Sequence, residues 1–320
     1  MSQPFFSVVV TTYDRARIVR RCVDSCLAQS FSDFEVVVVD DASTDDTVQV
    51  LNGIDDPRLG VVVHESNRGI NPSRHTGVNN SRGEWIVVVD SDWELFPYTL
   101  ERLRTIIQDL PEGVRIVRGR LLWDDGRVSP ASVPTGPIGY EGHIRRMEQD
   151  WSDDVSCMHR SVFERTPYFS DRRGVIEALY ELNLARVETG IFVDDVLGKE
   201  HTDAPNSWWR SVDASEVIPR LLREAPDMLW MVETTLDEHG AALVQHAPNS
   251  YREFLRMAST QAFLVGDRRK GRRYALAALR RKKLDPLAWV TLALGLLGPH
   301  AVARGSLAQR RLNRWRSRVA

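Results

Sequence analysis

The chain has 320 residues, of which 42% are hydrophobic and 27% charged, and this composition excludes a disordered or a fibrous protein. The formal net charge is only −2, yet residues 268–318 hold fifteen Lys/Arg and a single acid, Asp285. A strongly basic segment joined to an acidic remainder predicts contact with an anionic partner, either a membrane or nucleic acid.

The first residues lack the basic stretch and long apolar run of a secretory signal, so we expect a cytoplasmic protein. Cys22, Cys26 and Cys157 are too few for a disulfide framework, and they lack the clustered His or Cys partners that a zinc site needs. Cys22 and Cys26 are four positions apart on a predicted helix, and we interpret these two as buried free thiols rather than redox or metal-binding groups.

Apolar runs of strand length alternate with helical patterns through the first hundred residues. The runs are almost continuous Val and Ile, as expected for parallel strands that helices cover on both faces. This pattern predicts a doubly wound α/β domain whose ligands bind beyond the carboxyl ends of the strands. Strands are predicted at residues 7–11, 35–39, 59–64 and 84–89, and helices at residues 16–29, 72–81 and 99–110, with a further helix capped by Ser43.

Glycine and proline recur from residue 123 to residue 142, which predicts a long functional loop. Strand patterns end near Asn206, so we expect a catalytic domain over residues 1–205 and an α-helical region with a basic tail over residues 206–320. Residues 249–286 predict a helical hairpin. The apolar stretch 287–297 is shorter than the roughly 20 residues that cross a bilayer.

Two acids one residue apart, Asp90 and Asp92, follow the apolar run at residues 84–89. Their oxygens suit Mg²⁺ or Mn²⁺, which takes one or two carboxylates plus substrate phosphates. A divalent ion there would neutralise the charge that develops on a diphosphate leaving group. The alternative is a solvated turn.

A second acidic pair, Asp40 and Asp41, ends the run at residues 35–39. A carboxylate at this position can accept a hydrogen bond from N3–H of uracil. The alternative is a turn into the helix that Ser43 caps, but two acids buried at a strand end are costly unless something pairs with them.

Several ordered segments resemble the family 2 inverting glycosyltransferases of the GT-A fold. The similarity is dense over about residues 5–110 and looser to about residue 205. It implies a GT-A domain, which is a doubly wound, mostly parallel sheet with a nucleotide-binding half, followed by the small α-helical region. The matching segments are SVVVTTYDR at 7–15, SCLAQS at 25–30, VDDASTDDT at 39–47, NRG at 67–69, SRH at 73–75, Gly77, GEWI at 83–86 and DSD at 90–92.

The resemblance implies transfer of a sugar, with inversion, from a nucleotide-sugar donor such as a UDP-sugar to a glycan, glycolipid or polymer acceptor. The expected setting is bacterial cell-surface polysaccharide or glycoconjugate synthesis, and nucleic acid is not an expected partner. The implied nucleotide-sugar contacts are Thr11, Tyr13, Asp40, Asp41, Arg74, Asp90 and Ser91. The implied ligands of Mn²⁺ or Mg²⁺ are Asp92 and His201. The ordinary alternatives are a half-buried core aromatic for Tyr13, a solvated charge for Arg74 and a structural role for His201.

Inverting transfer needs a carboxylate that removes the proton of the acceptor hydroxyl. The family supplies this base from a Glu-Asp pair before an amphipathic helix, and the matching pair here is Glu177-Ala178. The resemblance therefore implies Glu177 as the base, although a solvent-facing helix acid is the alternative. The acids at residues 153–154 and 194–195 are the reserve.

One set of side chains is a candidate for binding the acceptor, and another is a candidate for contact with a membrane. Aromatic rings near the loop and the domain boundary could stack on sugars or pack in the core: Trp123, Tyr140, Trp151, Trp208 and Trp209. The tail could lie on the anionic inner face of the plasma membrane or form a solvated basic helix, and its arginines are Arg310, Arg311, Arg314, Arg316 and Arg318.

Two other functions remain open. The missing Asp after Glu177 is compatible with a catalytically impaired module that binds nucleotide-sugar, glycan or membrane. A haloacid-dehalogenase-like phosphohydrolase also has an Asp-x-Asp after an apolar strand. That family requires Thr or Val where this chain has Glu94, and it has its motif near the N-terminus.

Overall fold

The computed structural model describes residues 3–150, 152–173, 177–204 and 213–319, with side chains to residue 312. The chain divides into two compact units. The first comprises Met1–Arg173 and Tyr180–Ala204, and the second comprises Gly174–Leu179 and Pro205–Ala320.

One mixed sheet organises the first unit. Its strands are β1 (Phe6–Thr12), β2 (Phe34–Asp40), β3 (Leu59–Val63), β4 (Trp85–Asp90), β5 (Trp93–Leu95), β6 (Val114–Trp123), β7 (Val128–Ser129), β8 (Val155–His159) and β9 (Thr189–Glu200). The order is β3-β2-β1-β4-β8-β6-β9-β5, and β7 pairs with β6. The first four strands are parallel, whereas β8 is antiparallel to both of its neighbours.

Helices alternate with the first parallel strands and continue further along the chain. They are α1 (Val19–Leu27), α2 (Thr47–Asn52), α3 (Ile70–Asn80), α4 (Thr99–Gln108), α5 (Tyr140–Gln149), α6 (Arg160–Arg165) and α7 (Glu177–Val187), and the division between the units falls within α7. Every residue of β1 and β2 is buried, which explains why both strands are continuous apolar runs. The predicted α/β fold with a parallel half is confirmed.

The second unit is helical in its described part. Its helices are α8 (Ala214–His246), α9 (Pro248–Leu264), α10 (Arg268–Arg281), α11 (Pro286–Leu297) and α12 (Pro299–Val319). The predicted helical hairpin corresponds to α9 and α10. Among the residues described, no helix is both long and apolar enough to cross a membrane.

Three local predictions meet different outcomes. Cys22 and Cys26 are buried and free, as predicted, and so is Cys157. The prediction that Ser43 caps a helix is wrong, because α2 begins at Thr47 and Asp46 at its N-cap makes no side-chain cap bond. The glycine- and proline-rich segment from residue 123 to residue 142 is mostly loop, interrupted by β7 and by the start of α5.

Candidate functional site

The carboxyl ends of three parallel strands bring the predicted residues to one edge of the sheet. In the register of the strands, Thr11 lies opposite Asp90 and Thr12 lies opposite Asp40. Thr11 and Asp40 are buried, whereas the side chain of Asp90 is 30% exposed. This edge is where a doubly wound sheet binds its ligands.

Arg74 and Asp90 form an ion pair at this edge. Arg74 lies on α3, and its Nη2 donates to Oδ1 of Asp90 over 2.9 Å. The Arg74 side chain is buried, and its guanidinium carbon lies 5.9 Å from the centre of the Tyr168 ring. A buried guanidinium beside a partly exposed carboxylate provides a fixed positive charge at the end of β4.

Asp92 lies within reach of a second arginine. Nη1 of Arg15, which follows β1, lies 3.5 Å from Oδ2 of Asp92. The backbone carbonyl of Asp92 accepts from the N–H of His201, and Ser91 between the two acids is buried. Arg15 belongs to the first segment that resembles the family, but nothing in the sequence indicates that its side chain reaches Asp92, which is 77 positions away.

Asp40 is tied to the loop that follows it. Its Oδ1 accepts from the N–H of Ser43 over 2.9 Å, and its Oδ2 accepts from the Ser43 hydroxyl. The Ser43 hydroxyl that suits a helix cap is therefore used at the end of β2 instead. This pairing removes part of the cost of burying the Asp40 carboxylate.

Asp41 organises the approach to α3. Its Oδ2 accepts from the N–H of Gly69 over 2.7 Å, and its Oδ1 accepts from the N–H of Arg68 and contacts Nδ1 of His64, both over 2.8 Å. The other nitrogen of His64 contacts the Thr76 hydroxyl. Asp41 thus holds the turn from which α3 carries Arg74 to the sheet edge.

Two non-glycine residues adopt left-handed backbone conformations at this edge. Asp14 has φ 50° and Ala42 has φ 61°, which costs about 1–2 kcal/mol for a residue with a Cβ. The Asp14 N–H donates to the Ser43 hydroxyl, and Oδ1 of Asp14 accepts from the N–H of Thr44. Tyr13, next to this turn, is 36% exposed. Backbone strain of this kind concentrates at ligand sites.

Thr12 carries a buried hydroxyl without a hydrogen-bond partner among the described residues. It ends β1, directly opposite Asp40. This hydroxyl is therefore available as a hydrogen-bonding group for a ligand at the sheet edge.

Both ring nitrogens of His201 face carboxylates. Nε2 lies 2.9 Å from Oε2 of Glu94, and Nδ1 lies 3.2 Å from Oδ1 of Asp124. Partial burial opposes ionisation of Asp124, but hydrogen bonds from Thr202 and the ion pair with Lys199 outweigh it and hold the pKa of that carboxyl well below its usual range. Sequence reasoning missed Glu94 and Asp124 because neither belongs to a motif.

The donor set at the edge is compatible with a magnesium or manganese ion. No three His, Cys, Asp or Glu side chains of the described segments are grouped as a metal cage. These ions instead use one or two carboxylates and complete their shell with phosphate oxygens, and Asp90 and Asp92 supply such carboxylates. His201 would have to leave Glu94 or Asp124 in order to bind a metal.

The predicted base, Glu177, is the first residue of α7, and Ala178 after it is buried. Among the reserve acids, Asp154 is 5% exposed and pairs with Arg118 and Arg146, and residues 194–195 pair with arginines on β6 and α4. Each of these three acids is therefore held by at least one arginine.

A buried charge network, which has no sequence motif, surrounds Arg118. Its guanidinium contacts Asp154 and donates from Nη2 to Oε2 of Glu181 on α7 over 2.5 Å. His143 lies 4.0 Å from the same Glu181 oxygen. Burial, reinforced by Arg118 and Arg146, lowers the pKa of His143 to about 3.

The predicted acceptor aromatics meet mixed outcomes. Trp123 ends β6, and its Nε1 donates to the Ser129 hydroxyl over 2.8 Å, while Tyr140 begins α5. Trp151, Trp208 and Trp209 lie outside the described residues.

Solved structures show which fold this chain shares. The structure of S. aureus TarS 1–349 in complex with UDP-GlcNAc superposes with a TM-score of 0.58 at 18% sequence identity. The match covers 94% of this chain and 91% of the TarS chain. The mannosyltransferase PcManGT from Pyrobaculum calidifontis, in complex with GDP-Man and Mn²⁺, covers 96% of this chain with 88% of its own, at a TM-score of 0.54 and 19% identity. The GT-A architecture is therefore confirmed.

Sequence relatives match about a third of the chain. The succinoglycan biosynthesis protein ExoO of Rhizobium meliloti is 40% identical over 105 residues, which is 33% of this chain and 29% of the relative. A GalNAc(5)-diNAcBac-PP-undecaprenol beta-1,3-glucosyltransferase of Campylobacter jejuni is 32% identical over 122 residues, or 37% of this chain and 38% of the relative. The chain thus spans less than half the length of either relative.

A family model decides the assignment. The model described as glycosyl transferase family 2 matches residues 7–169, which is more than half of the 320 residues. That match includes Arg15, Arg74 and both acids of the Asp90–Asp92 pair. The chain belongs to glycosyltransferase family 2.

Proposed function

We propose that this chain transfers a sugar from a nucleotide-sugar, most favourably a UDP-sugar, to a glycan, glycolipid or polymer acceptor with inversion at the anomeric carbon. The observation that carries the proposal is the ion pair of Arg74 with Asp90 at the end of β4, two residues before Asp92. A guanidinium suits a diphosphate, and neighbouring carboxylates suit a sugar hydroxyl and a divalent cation. We assign this activity to residues 1–205.

The donor would lie along the carboxyl edge of the parallel strands. We assign the base contacts to Thr11, Tyr13 and Asp40. Asp40 accepts both of its hydrogen bonds from Ser43, whereas Asp41 already has three partners. Since a carboxylate accepts at about four sites, Asp40 retains more capacity for N3–H of uracil.

Arg74 would bind the diphosphate, while Asp90 and Ser91 would bind the ribose and the donor sugar. Mn²⁺ or Mg²⁺, when bound, neutralises the charge that develops on the leaving diphosphate. Asp92 is its proposed ligand, with His201 as a second one. In the proposed site the protein would supply one or two carboxylates to the ion rather than a complete set of ligands, and phosphate oxygens would fill the remaining positions.

Glu177 is the proposed base. It would take the proton of the acceptor hydroxyl while the oxygen attacks the anomeric carbon and the bond to the diphosphate breaks on the opposite side. The other carboxylate of α7, Glu181, is held by a hydrogen bond from Arg118 and is the second candidate. Glu177→Gln should abolish transfer and leave UDP affinity unchanged, whereas loss of transfer only in Glu181→Gln would reassign the base.

The acceptor class rests on the relatives. One is named for succinoglycan biosynthesis and the other for an undecaprenol-linked glycan, which supports a role in bacterial cell-surface polysaccharide or glycolipid synthesis at the inner face of the plasma membrane. The alternative, a binding module without turnover, rests on Ala178 in place of the family's Asp.

A donor screen tests the proposal. Thermal shifts with UDP, GDP and dTDP in the presence of Mn²⁺ should identify the nucleotide, and release of that nucleotide from its sugar conjugates should identify the donor. Binding of a nucleotide without turnover of any conjugate would favour the alternative.

A further inference from the structure

Helix α11 has an unusual composition for its position. Its twelve residues, PLAWVTLALGLL, include no charged side chain. The neighbouring helices α10 and α12 are rich in arginine and contain no acid. An apolar helix thus lies between two basic ones.

One face of α11 packs inside the helical unit. Ala288 and Gly295, seven positions apart, are its buried residues. A Cβ added at Gly295 would lie 2.4 Å from a ring atom of Phe263 on α9. This close approach fixes which side of α11 faces the interior.

The opposite face of α11 is apolar and exposed. Trp289 is 53% exposed, Val290 51%, Leu296 58% and Leu297 75%. Their spacing of i, i+1, i+7 and i+8 puts them on one stripe of the helix. Leu284, just before the helix, is 85% exposed and extends the stripe. We call these five residues the α11 face.

The α11 face adjoins positive charge. Arg280, Arg281, Lys282 and Lys283 are all exposed and lead directly into Leu284. The one acid of the segment, Asp285, is 4% exposed and caps α11 through hydrogen bonds from the N–H groups of residues 287 and 288. Residues 280–297 therefore combine apolar side chains and cations without an exposed acid, and the nearby Glu253 is paired with Arg252 and Arg256.

We propose that the α11 face is a docking surface for an anionic lipid bilayer. The leucines, the valine and Trp289 would enter the interfacial layer, and the exposed basic run 280–283 would meet anionic headgroups. Nε1 of Trp289 donates to the carbonyl of Lys283 over 3.0 Å, which leaves the apolar part of an interfacial aromatic facing outward. The helix would lie flat, since twelve residues extend about 18 Å and the hydrocarbon core is about 30 Å thick.

Charge argues for lipid rather than a second copy of the chain. A twofold interface through the α11 face would place both copies of the basic run 280–283 in or beside one interface, where residues 280–297 offer no exposed acid to pair with them and uncompensated charge opposes association. Anionic headgroups complement the same run.

The inference rests on the proposed function, deepens its membrane part and adds a contact at α11 to the terminal arginines. Arg310, which the sequence analysis assigned to the membrane, is half-buried. Burial and the nearby Arg220 lower its pKa to about 10, which leaves it charged at neutral pH, so its partial burial and not its charge limits its contact with headgroups.

Co-sedimentation of the full chain with vesicles tests the inference. We expect binding to vesicles of phosphatidylcholine mixed with phosphatidylglycerol and weak binding to phosphatidylcholine alone. Leu296→Glu with Leu297→Glu should reduce the partition coefficient about tenfold or more. The matched control is Val187→Glu, which changes a 59% exposed aliphatic residue outside the α11 face and should bind like the wild type.

A second double variant, UDP affinity and light scattering distinguish failure of membrane docking from loss of the fold or of nucleotide binding. Arg280→Glu with Arg281→Glu should also reduce binding. UDP affinity without vesicles should be unchanged in both double variants, so failure of membrane binding is distinguishable from failure of the proposed function. Equal vesicle binding by the leucine variant and the wild type would overturn the inference. So would a wild-type dimer, seen by light scattering, that the leucine variant abolishes while neither protein binds vesicles.

Discussion

Nη2 of Arg74 donates to Oδ1 of Asp90 over 2.9 Å, so a residue of α3 fixes a carboxylate at the end of β4. Arg74→Ala removes this charged hydrogen bond and the proposed diphosphate contact. Hydrogen bonds to charged groups contribute about 1.5–3 kcal/mol, so kcat/KM for the nucleotide-sugar should fall about 10- to 150-fold. Arg74→Lys should fall in between, because it keeps the charge but loses the guanidinium fork.

Steady-state kinetics with a thermal melt for each variant measure this effect. The control is Arg20→Ala, since the side chain of Arg20 is 58% exposed and pairs with Asp24, which is itself exposed. Unchanged kcat/KM in Arg74→Ala with an intact fold would remove Arg74 from the site.

The Thr12 hydroxyl predicts a variant that binds nucleotide more weakly without losing stability. Thr12→Val keeps the shape and removes a hydroxyl that has no partner in the described structure, so the free energy of unfolding should change by less than about 0.5 kcal/mol. The Kd for the nucleotide should rise about 2- to 10-fold. Calorimetric titration and chemical denaturation measure the two quantities.

Thr99→Val is the matched control for Thr12→Val. Thr99 is equally buried, but its hydroxyl donates to the Leu197 carbonyl. This variant should lose about 1–3 kcal/mol of stability and keep its nucleotide affinity. If Thr12→Val is destabilised as strongly as the control, the Thr12 hydroxyl has a partner within the protein.

The left-handed backbone at Ala42 predicts a stabilising substitution. Ala42→Gly should raise the free energy of unfolding by about 0.5–1 kcal/mol, since glycine adopts φ 61° without a Cβ clash but costs more chain entropy. Ala28→Gly, at φ −84°, should be neutral or destabilising. A loss of stability in Ala42→Gly would mean that other contacts compensate the strain.

His143 predicts a pH dependence of stability. Its folded pKa is about 3, against about 6.5 in the unfolded chain, so between these values only the unfolded chain binds the proton. The stabilising contribution is complete above pH 6.5 and decreases as the pH falls toward 3, by roughly 1.4 kcal/mol per pH unit at most. His143→Gln should therefore lose less stability than the wild type between pH 6.5 and 5. Chemical denaturation at each pH measures the free energy of unfolding of both proteins. Identical slopes would show that His143 does not carry this effect.

The sequence predicted the parallel half of the sheet because buried parallel strands require continuous apolar runs, as in β1 and β2. It missed β9, because Asp194 and Asp195 interrupt that strand. The partners of Asp41 and His201 could not be inferred, since Asp41 meets His64 from 23 positions away and His201 meets Glu94 from 107 positions away. Local spacing also misassigned Ser43, whose hydroxyl bonds Asp40 instead of capping α2.

The central claim is that the acids at the end of β4 form a metal-assisted nucleotide-sugar site. Release of UDP from a panel of UDP-sugars, with Mn²⁺ and with EDTA, tests it most directly when wild type, Asp92→Asn and the exposed control Asp55→Asn are compared. The account predicts Mn²⁺-dependent release by the wild type and by Asp55→Asn, and a loss of at least about 100-fold in Asp92→Asn, as for removal of a principal electrostatic group. Equal release by Asp92→Asn and the wild type, or release that EDTA leaves unchanged, would contradict it.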